Sequence, residues 1–373
     1  MKFYRLFAIA KKEGIQIKRD WRSLTLTVVT PLFLLLLFAY ALTLDVDKVP
    51  IIVWDQSNNV ESRDLISKFT GSRYFSLVSR ADNYRDIDHA INTGEVLAAL
   101  VIPVKFPNRK PEVQFIVDGS DSNTATISLG YAEAIIFDYS KDIVLEIKQR
   151  EGMPINSELI DLKTRIWYNP DIESRNNIIP GLIGVIMMVI TSLMTSLTIA
   201  REWEKGSMEQ LISTPIRVPE LIFGKMIPYF IVGMIDVILI FLIGYFLFEV
   251  PFRGNIFLFF GMTTVFLIGA LALGIFISII TKTQLLASQL AMVITFLPSF
   301  LLSGFLSSVH NMPQVIQLIT YLVPARYFIT FLRAIYLKGV GFSILYIEGI
   351  FLITFALIMV ILANIKFKKK LEY

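Results

Sequence analysis

Long apolar runs dominate the pattern of hydrophobic and polar positions along this 373-residue chain. The hydrocarbon core of a membrane is about 30 Å thick, and an α-helix needs roughly 20 apolar residues to cross it. Runs of that length with at most one charged residue predict six transmembrane helices. They lie at 23–44, 178–200, 228–248, 256–280, 286–306 and 342–364.

A seventh apolar stretch, 313–338, is interrupted by prolines and arginines. Pro324 divides it into two pieces that are each too short to cross a membrane. We therefore expect two short re-entrant helices that enter from the outer side and return to it. Arg326 and Arg333 are seven residues apart and share a helical face, where they would meet water or act as interfacial anchors.

Residues 1–22 combine basic side chains with apolar residues at spacings of four and three. This pattern predicts an amphipathic helix that lies in the cytoplasmic membrane interface. Two alternatives stay open, a plain basic tail and a cleaved signal peptide ending near Ala39-Tyr40-Ala41. The apolar stripe consists of Phe3, Phe7, Ala10, Gly14, Ile17 and Trp21.

The segment 45–177 alternates strand-like and helix-like patterns, which predict a small α/β domain inserted between the first two spans. Asp118-Gly119-Ser120-Asp121 invites a calcium-loop interpretation, but its spacing fits poorly and a helix N-cap is favoured. A long helix then runs to about residue 150. The predicted strands are 51–54, 75–78, 97–102 and 113–117, and the predicted shorter helices are 59–70 and 82–93.

Composition and charge support a membrane protein and orient it. With 54% hydrophobic residues, 18% charged residues and a mean hydropathy of +0.62, the chain is neither a soluble globular protein nor disordered. The segment 45–177 carries 15 basic and 21 acidic residues, whereas 1–22 and the tail 365–373 are basic and 201–227 contains Arg201, Lys205, Arg217 and Lys225. By the positive-inside rule, both termini are cytoplasmic and the inserted domain is outside.

The motifs of common catalytic sites are missing from the sequence. There is no cysteine, which excludes disulfides and thiolate sites. No P-loop, G-x-S-x-G or H-E-x-x-H motif occurs, so we expect no nucleotide hydrolysis or other enzyme activity in this chain. Transport across a membrane and signalling across it remain as candidate functions.

Two local signals predict a short helix in the connection 201–227. Ser207 and Gln210 can form a capping box, and Pro215 disfavours helix at the residue before it. We expect a helix of about six residues with Met208, Leu211 and Ile212 exposed for a groove on a soluble partner. A polar linker is the alternative.

The same connection resembles the signature of ABC type-2 transporter permeases. It reads R-E-x-E-K-G-S-x-E-x-L from Arg201 to Leu211, followed by Ser213-Thr214-Pro215. The resemblance continues nearly end to end, and the external domain is similar to that of the long bacterial subclass. One departure is the lack of a proline shortly after Ser303-Gly304-Phe305. Further matching segments are Gly224-Lys225, Leu273 to Ser278, Gln284, Met312-Pro313, Pro324 to Tyr327 and Arg333 to Gly339.

The resemblance implies a bacterial inner-membrane permease that exports drugs, lipids or other amphiphiles. It implies a homodimer or a heterodimer with a sister permease, two ABC ATPase subunits that hold ATP and Mg, and in Gram-negative relatives a periplasmic adaptor protein. It implies no cofactor or metal in this chain and no nucleic-acid partner. The implied ATPase-coupling residues are Arg201, Glu202, Glu204, Lys205, Gly206, Ser207, Met208, Glu209, Leu211 and Ile212. A non-transporting signal or force relay is the alternative function, and an ion channel or membrane enzyme is a weaker one.

Polar residues inside the predicted spans are candidates for a translocation path. Small hydroxyl residues repeat at four-residue spacing in the second span and serve either helix packing or a polar path. Asp236 lies deep in the third span. Its partner would be Lys225, Arg326 or a bound cation; alternatively, Asp236 is a protonated carboxyl that bonds to a neighbouring helix. The path candidates are Thr191, Ser192, Thr195, Ser196, Asp236, Arg326 and Arg333.

Overall fold

The computed structural model describes residues 2–41, 48–106, 112–120, 122–150, 168 and 173–367. These residues are mostly helical and form two compact units. One unit comprises Met1–Thr43 with Arg165–Tyr373, and the other comprises Leu44–Thr164. The C-terminal lysines beyond residue 367 and Asp121, both used in the sequence predictions, lie outside the described residues.

The helices and strands are numbered in chain order. The helices are α1 Phe3–Arg19, α2 Trp21–Ala41, α3 Val60–Gly71, α4 Tyr84–Asn92, α5 Ser122–Arg150, α6 Ser174–Glu204, α7 Ser207–Ser213, α8 Val218–Phe246, α9 Ile256–Thr281, α10 Gln284–Leu297, α11 Gln314–Thr320, α12 Pro324–Arg333 and α13 Tyr346–Lys366. The strands are β1 Val49–Asp55, β2 Phe75–Arg80, β3 Ala98–Ile102 and β4 Gln114–Val117. Turns of π-helix, Pro298–Leu302 and Ala334–Lys338, extend α10 and α12.

The smaller unit, Leu44–Thr164, is built on a mixed four-stranded sheet of order β2-β1-β3-β4. Strand β1 pairs in parallel with β2 and β3, and β4 pairs antiparallel with β3. Each predicted strand and helix of this segment is confirmed to within a few residues. Helix α5 begins at Ser122, directly after the predicted N-cap sequence.

The two faces of this sheet carry separate apolar cores. Ile51, Val53 and Leu100 pack with residues of α3 and α5, whereas Ile52 and Val101 pack with residues of α4. Because successive side chains of a strand point to opposite faces, all residues of β3 and the central residues of β1 must be apolar. The same requirement produces the continuous apolar runs that identify these strands in the sequence.

Five helices of the larger unit are long and apolar enough to cross a membrane. They are α6, α8, α9, α13 and the continuous stretch Gln284–Leu302 that contains α10. Helix α2 adds a shorter apolar segment, Thr27–Ala41, and Pro31 lies inside it. Helices α11 and α12 are bent by 85° at a short break, and counted as one span they would raise the number to six. The break falls directly before Pro324, as the sequence predicts.

Helices α6 and α9 form the centre of this unit. Their apolar segments are 78% and 72% buried, against 33% or less for those of α8, α10 and α13. The peripheral helices therefore present long rows of apolar side chains on the outside of the unit. Such rows are stable against lipid or another membrane protein, but not against water.

Close contact between α6 and α9 depends on small and hydroxyl residues. Ser192 Oγ donates to the Ala270 carbonyl oxygen at 3.0 Å, and Thr195 Oγ1 donates to the Leu271 carbonyl oxygen at 3.0 Å. A Cβ atom at Gly274 would overlap Thr195 Oγ1 and the Ser192 backbone. Glycine at this position thus permits the approach of the two backbones, as is typical of membrane helix pairs.

We predict that Gly274→Ala lowers the thermal unfolding midpoint of the detergent-purified protein. The added methyl group must displace backbone, and overpacking of this kind costs about 1–3 kcal/mol. Gly261→Ala on the same helix is the matched control, because no atom lies within 4 Å of its added Cβ. Equal midpoints for the two variants would contradict the close contact.

Candidate coupling site and buried polar residues

The short helix α7 follows α6 after a tight turn. Gly206 has a φ of 67°, in the left-handed region that glycine adopts without strain, and Thr214 is extended before Pro215. The predicted short helix is thus confirmed, with seven residues instead of about six. The predicted capping box is wrong. Ser207 is the first helical residue, and its hydroxyl donates to the Glu202 carboxylate because α6 ends directly beside it.

The apolar side chains of α7 point inward, which corrects the prediction that they are exposed. Met208 is fully buried in a cluster that includes Ile199 and Ile222, and Leu211 and Ile212 pack partly against it. Residues at i, i+3 and i+4 share one helical face, and the adjoining helices cover that face. The exposed residues of α7 are instead Glu209, Gln210 and Ser213.

Two coupling candidates at the end of α6 hold the beginning of α10. Glu204 accepts a hydrogen bond from the Gln284 backbone N–H at 2.7 Å and another from its side-chain amide. Arg201 Nε donates to Gln284 Oε1 at 3.4 Å. Since the first N–H groups of a helix have no partner within it, Glu204 satisfies one of them and places negative charge at the helix N-terminus.

A buried ion network joins α1, α6 and α8. Lys225 Nζ lies 2.5 Å from Glu13 Oε1 and 3.4 Å from Glu202 Oε1. Lys225 is 1% exposed and Glu13 is 3% exposed. Lys12 reaches Glu202 from the exposed side, at 2.7 Å. Burial of a charge is costly unless an opposite charge compensates it, so this network constrains the relative placement of three helices.

Helix α1 packs along the beginning of α8. A Cβ atom at Gly224 would come within 3 Å of Ile9, and the Lys2 backbone N–H donates to Glu220 Oε1 at 2.6 Å. Phe3 and Phe7 are exposed, whereas Ile9 is buried. The predicted helix is confirmed, but the single apolar stripe is wrong: one set of apolar residues faces outward and another faces α8.

The hydroxyl residues Thr191, Ser192, Thr195 and Ser196 are all buried. Ser192 and Thr195 donate to carbonyl oxygens of α9, and Thr195 Oγ1 also lies 3.1 Å from the Thr191 carbonyl oxygen of its own helix. Ser196 Oγ donates to the Leu193 carbonyl oxygen at 2.7 Å. Their contacts within this chain are therefore packing contacts. Their assignment to a translocation path stays a prediction.

Arg326 and Arg333 are both held by partners within the chain. Arg326 donates to the Thr320 hydroxyl and stacks on the Tyr321 ring, 4.2 Å from its centre. Arg333 donates to the carbonyl oxygens of Gly304 at 2.9 Å and Phe305 at 3.2 Å. Their place on a path also stays a prediction.

Asp236 lies buried in the middle of α8 and is 2% exposed. Its Oδ1 atom makes no hydrogen bond to any residue that the structure describes. The partners considered for it are engaged elsewhere, since Lys225 pairs with two glutamates and Arg326 binds Thr320. Neither Lys225 nor Arg326 therefore neutralises this carboxyl.

Comparison with known proteins decides the family. Residues 21–365 match the family described as ABC-2 family transporter protein. The chain belongs to this family. It is 37% identical to the probable multidrug ABC transporter permease YbhS of Escherichia coli K12, over 99% of this chain and 98% of the relative. It is 30% identical to the probable multidrug permease YbhR of the same organism, over 92% of this chain and 93% of the relative.

Family membership confirms the resemblance that the 201–215 signature indicates. A more distant relative, the inner membrane transport permease YhhJ of the same strain, is 25% identical over 86% of this chain and 85% of the relative. The chain is therefore a membrane-embedded permease of an ABC transporter, and such permeases work with ATPase partners.

We predict that Lys225→Met strongly destabilises the permease. It leaves two carboxylates buried without their cation, and breaking a buried pair in this way costs about 3–5 kcal/mol. Lys12→Met, at the exposed end of the same network, should change stability by about 1 kcal/mol or less. Thermal unfolding in detergent measures both variants.

Adding Glu13→Gln and Glu202→Gln to Lys225→Met should restore much of the loss, because the unpaired charges are then removed. If Lys225→Met unfolds at the same temperature as Lys12→Met, the network does not hold these helices together.

Proposed function

We propose that this permease forms the translocation path of an ATP-driven exporter for a drug, lipid or other amphiphile. Separate ATPase subunits would bind ATP and Mg and drive the movement. Its relatives YbhS and YbhR bear the description multidrug permease, which supports this substrate class. The observation that carries the coupling is α7, a short helix anchored by its apolar face with a polar face left outward.

The proposed topology has six transmembrane helices, α2, α6, α8, α9, α10 and α13, in the bacterial inner membrane. Helices α11 and α12 form a re-entrant pair on the outer side, and their 85° bend supports this arrangement. Lys2, Arg5, Lys12, Arg201 and Lys205 lie at the α7 end of the larger unit, which supports a cytoplasmic position for that end. Residues 45–177 would then be periplasmic.

The proposed coupling surface consists of Glu209, Gln210 and Ser213. Of the coupling residues inferred from the signature, Glu202, Glu204, Ser207 and Met208 would act indirectly by positioning α7 and α10. Displacement of α7 by an ATPase would reach α6 through Ser207 and Glu202 and reach α1 through Lys12 and Lys225.

Further partners belong to the same proposal. The permease would dimerise with itself or with a sister permease, using part of the apolar surface that α8, α10 and α13 leave exposed. The domain 45–177 would contact a periplasmic adaptor protein. No cofactor, metal or nucleic acid is proposed for this chain, and no catalytic role is assigned to its residues.

A signal or force relay is the second candidate function. It would use the same ATPase and α7 coupling without moving a substrate. The dense α6–α9 contact favours this alternative in one respect, because it leaves the hydroxyl residues of α6 engaged in packing. Transport by the reconstituted complex, or its absence, separates the two functions.

We predict that Glu209→Arg combined with Gln210→Arg removes the ATPase that co-purifies with the permease in mild detergent. The charge of the exposed face of α7 changes from negative to positive, while its buried face and the fold are left intact. Glu133→Arg, an exposed glutamate on α5, is the matched control and should retain the ATPase. Equal ATPase recovery from both variants would show that coupling uses another surface.

We predict that Asp236→Asn reduces efflux of fluorescent amphiphiles from cells more than it reduces permease level. The substitution preserves shape and removes the charge of a buried side chain. Glu348→Gln, a half-buried acid in the first turn of α13, is the control. Efflux is compared with the amount of membrane-inserted protein on immunoblots, and a parallel loss of both would make Asp236 structural.

A further inference from the structure

A series of cavities leads from an open cleft toward Asp236. The cleft has a volume of about 710 Å³ and is lined by Lys12, Ile15, Gln16, Arg19, Asp20, Arg201, Lys205 and Gln284. A second cavity shares Asp20 and Arg201 with the cleft and extends to Thr27 and Tyr229. A third shares Thr27 and Tyr229 with the second and ends at Asp236 and Thr191. Because neighbouring cavities share wall residues, they lie next to one another in a row between α1, α2, α6, α8 and α9, and we call this row the passage.

The carboxyl of Asp236, at the inner end of this passage, has no charged partner among the residues that the structure describes. Asp236 is 2% exposed, and its Oδ1 makes no hydrogen bond within the described chain. Tyr229 is the other titratable side chain on the described wall of the inner cavity, and Thr27 and Thr191 supply hydroxyls there. Farther out, Asp20 and Arg201 are the charged residues on the described wall of the middle cavity. A buried polar atom without a partner calls for a ligand or a functional reason.

The size of the passage restricts what can reach Asp236. The middle and inner cavities measure about 20 and 10 Å³, which is room for about one water molecule each. An amphiphile cannot enter them in this conformation. The described residues of the cleft wall include four basic residues and one acidic residue, a balance of charge that disfavours entry of a metal cation. A proton can be relayed along water molecules and hydroxyl groups, so it needs no more room than these water-sized cavities offer.

We propose that Asp236 is a proton-binding site of the permease, reached from the α7 end of the protein through this passage. Protonation neutralises a carboxyl for which the described part of the chain supplies no cationic partner, and loss of the proton places a negative charge in the centre of α8. The charge of Asp236 is thereby set by the pH of the solution at the mouth of the passage. Under the proposed topology, that solution is the cytoplasm. The proton is a further ligand of the permease beside the amphiphile of the proposed function, and its binding does not depend on which amphiphile is exported.

Labelling with dicyclohexylcarbodiimide tests the proposal, because this apolar reagent modifies protonated carboxyls within membranes. The full-length permease is labelled in inverted vesicles, with the pH of each side set separately, and modified residues are identified by mass spectrometry. We expect Asp236 to be modified and Asp236→Asn to lose that modification. Modification should fall about tenfold for each pH unit above the midpoint of the group, and it should follow the pH on the α7 side.

Val232→Trp, which would fill the passage, should slow the response to a pH jump on that side without abolishing the modification. Infrared difference spectra of wild type against Asp236→Asn give a second measurement, through the carbonyl stretch of a protonated carboxyl. Lack of both signals at every pH, or a response only to pH on the opposite side, overturns the proposal. Neither measurement involves substrate or ATP, so failure of export leaves this test interpretable.

Discussion

The placement of Lys225 between Glu13 and Glu202 fixes the relative positions of α1, α6 and α8 at one end of the permease. A lysine with almost no exposure requires an opposite charge within reach, and the two glutamates come from different helices. Helix α1 can therefore take few positions against α8 without leaving a charge unpaired. The same Glu202 also accepts from Ser207, which ties the start of α7 to the network. A segment of only seven residues thus gains a fixed position that it could not hold by its own helical stability.

Away from that end, close backbone contact replaces charge as the means of holding helices together. Lipid is as apolar as leucine, so burial of apolar side chains offers little driving force between membrane helices. Helices α6 and α9 instead approach at Gly274 and exchange hydrogen bonds from Ser192 and Thr195 to backbone carbonyls. Ser278 Oγ also accepts from the Ile199 N–H at 3.0 Å. The central pair is closely packed, and the outer helices keep apolar faces for lipid or a second permease.

Elements that depend on local pattern were predictable from the sequence, whereas side-chain orientation was not. The strands of the α/β unit and the break before Pro324 follow from runs, turns and proline alone. The orientation of Met208 could not be predicted, because a single helical turn shows one apolar face without showing what covers it. The pairing of Glu13 with Lys225 joins residues 212 positions apart, a separation over which periodicity carries no information. Local rules likewise favoured a capping box at Ser207, but the nearby end of α6 supplied a stronger, charged acceptor.

Asp236 stands apart from the other charged residues buried in the larger unit. Lys225 and Glu202 neutralise each other, and the half-buried Arg333 is bound by backbone carbonyl oxygens. In these groups, each charged side chain that holds the structure together has an ion-pair or hydrogen-bond partner. A carboxyl left without such a partner beside a water-sized cavity is costly for stability when it is ionised, and asparagine would fill the same space without the cost of a buried charge. Gain and loss of a proton therefore explains why this position holds an acid.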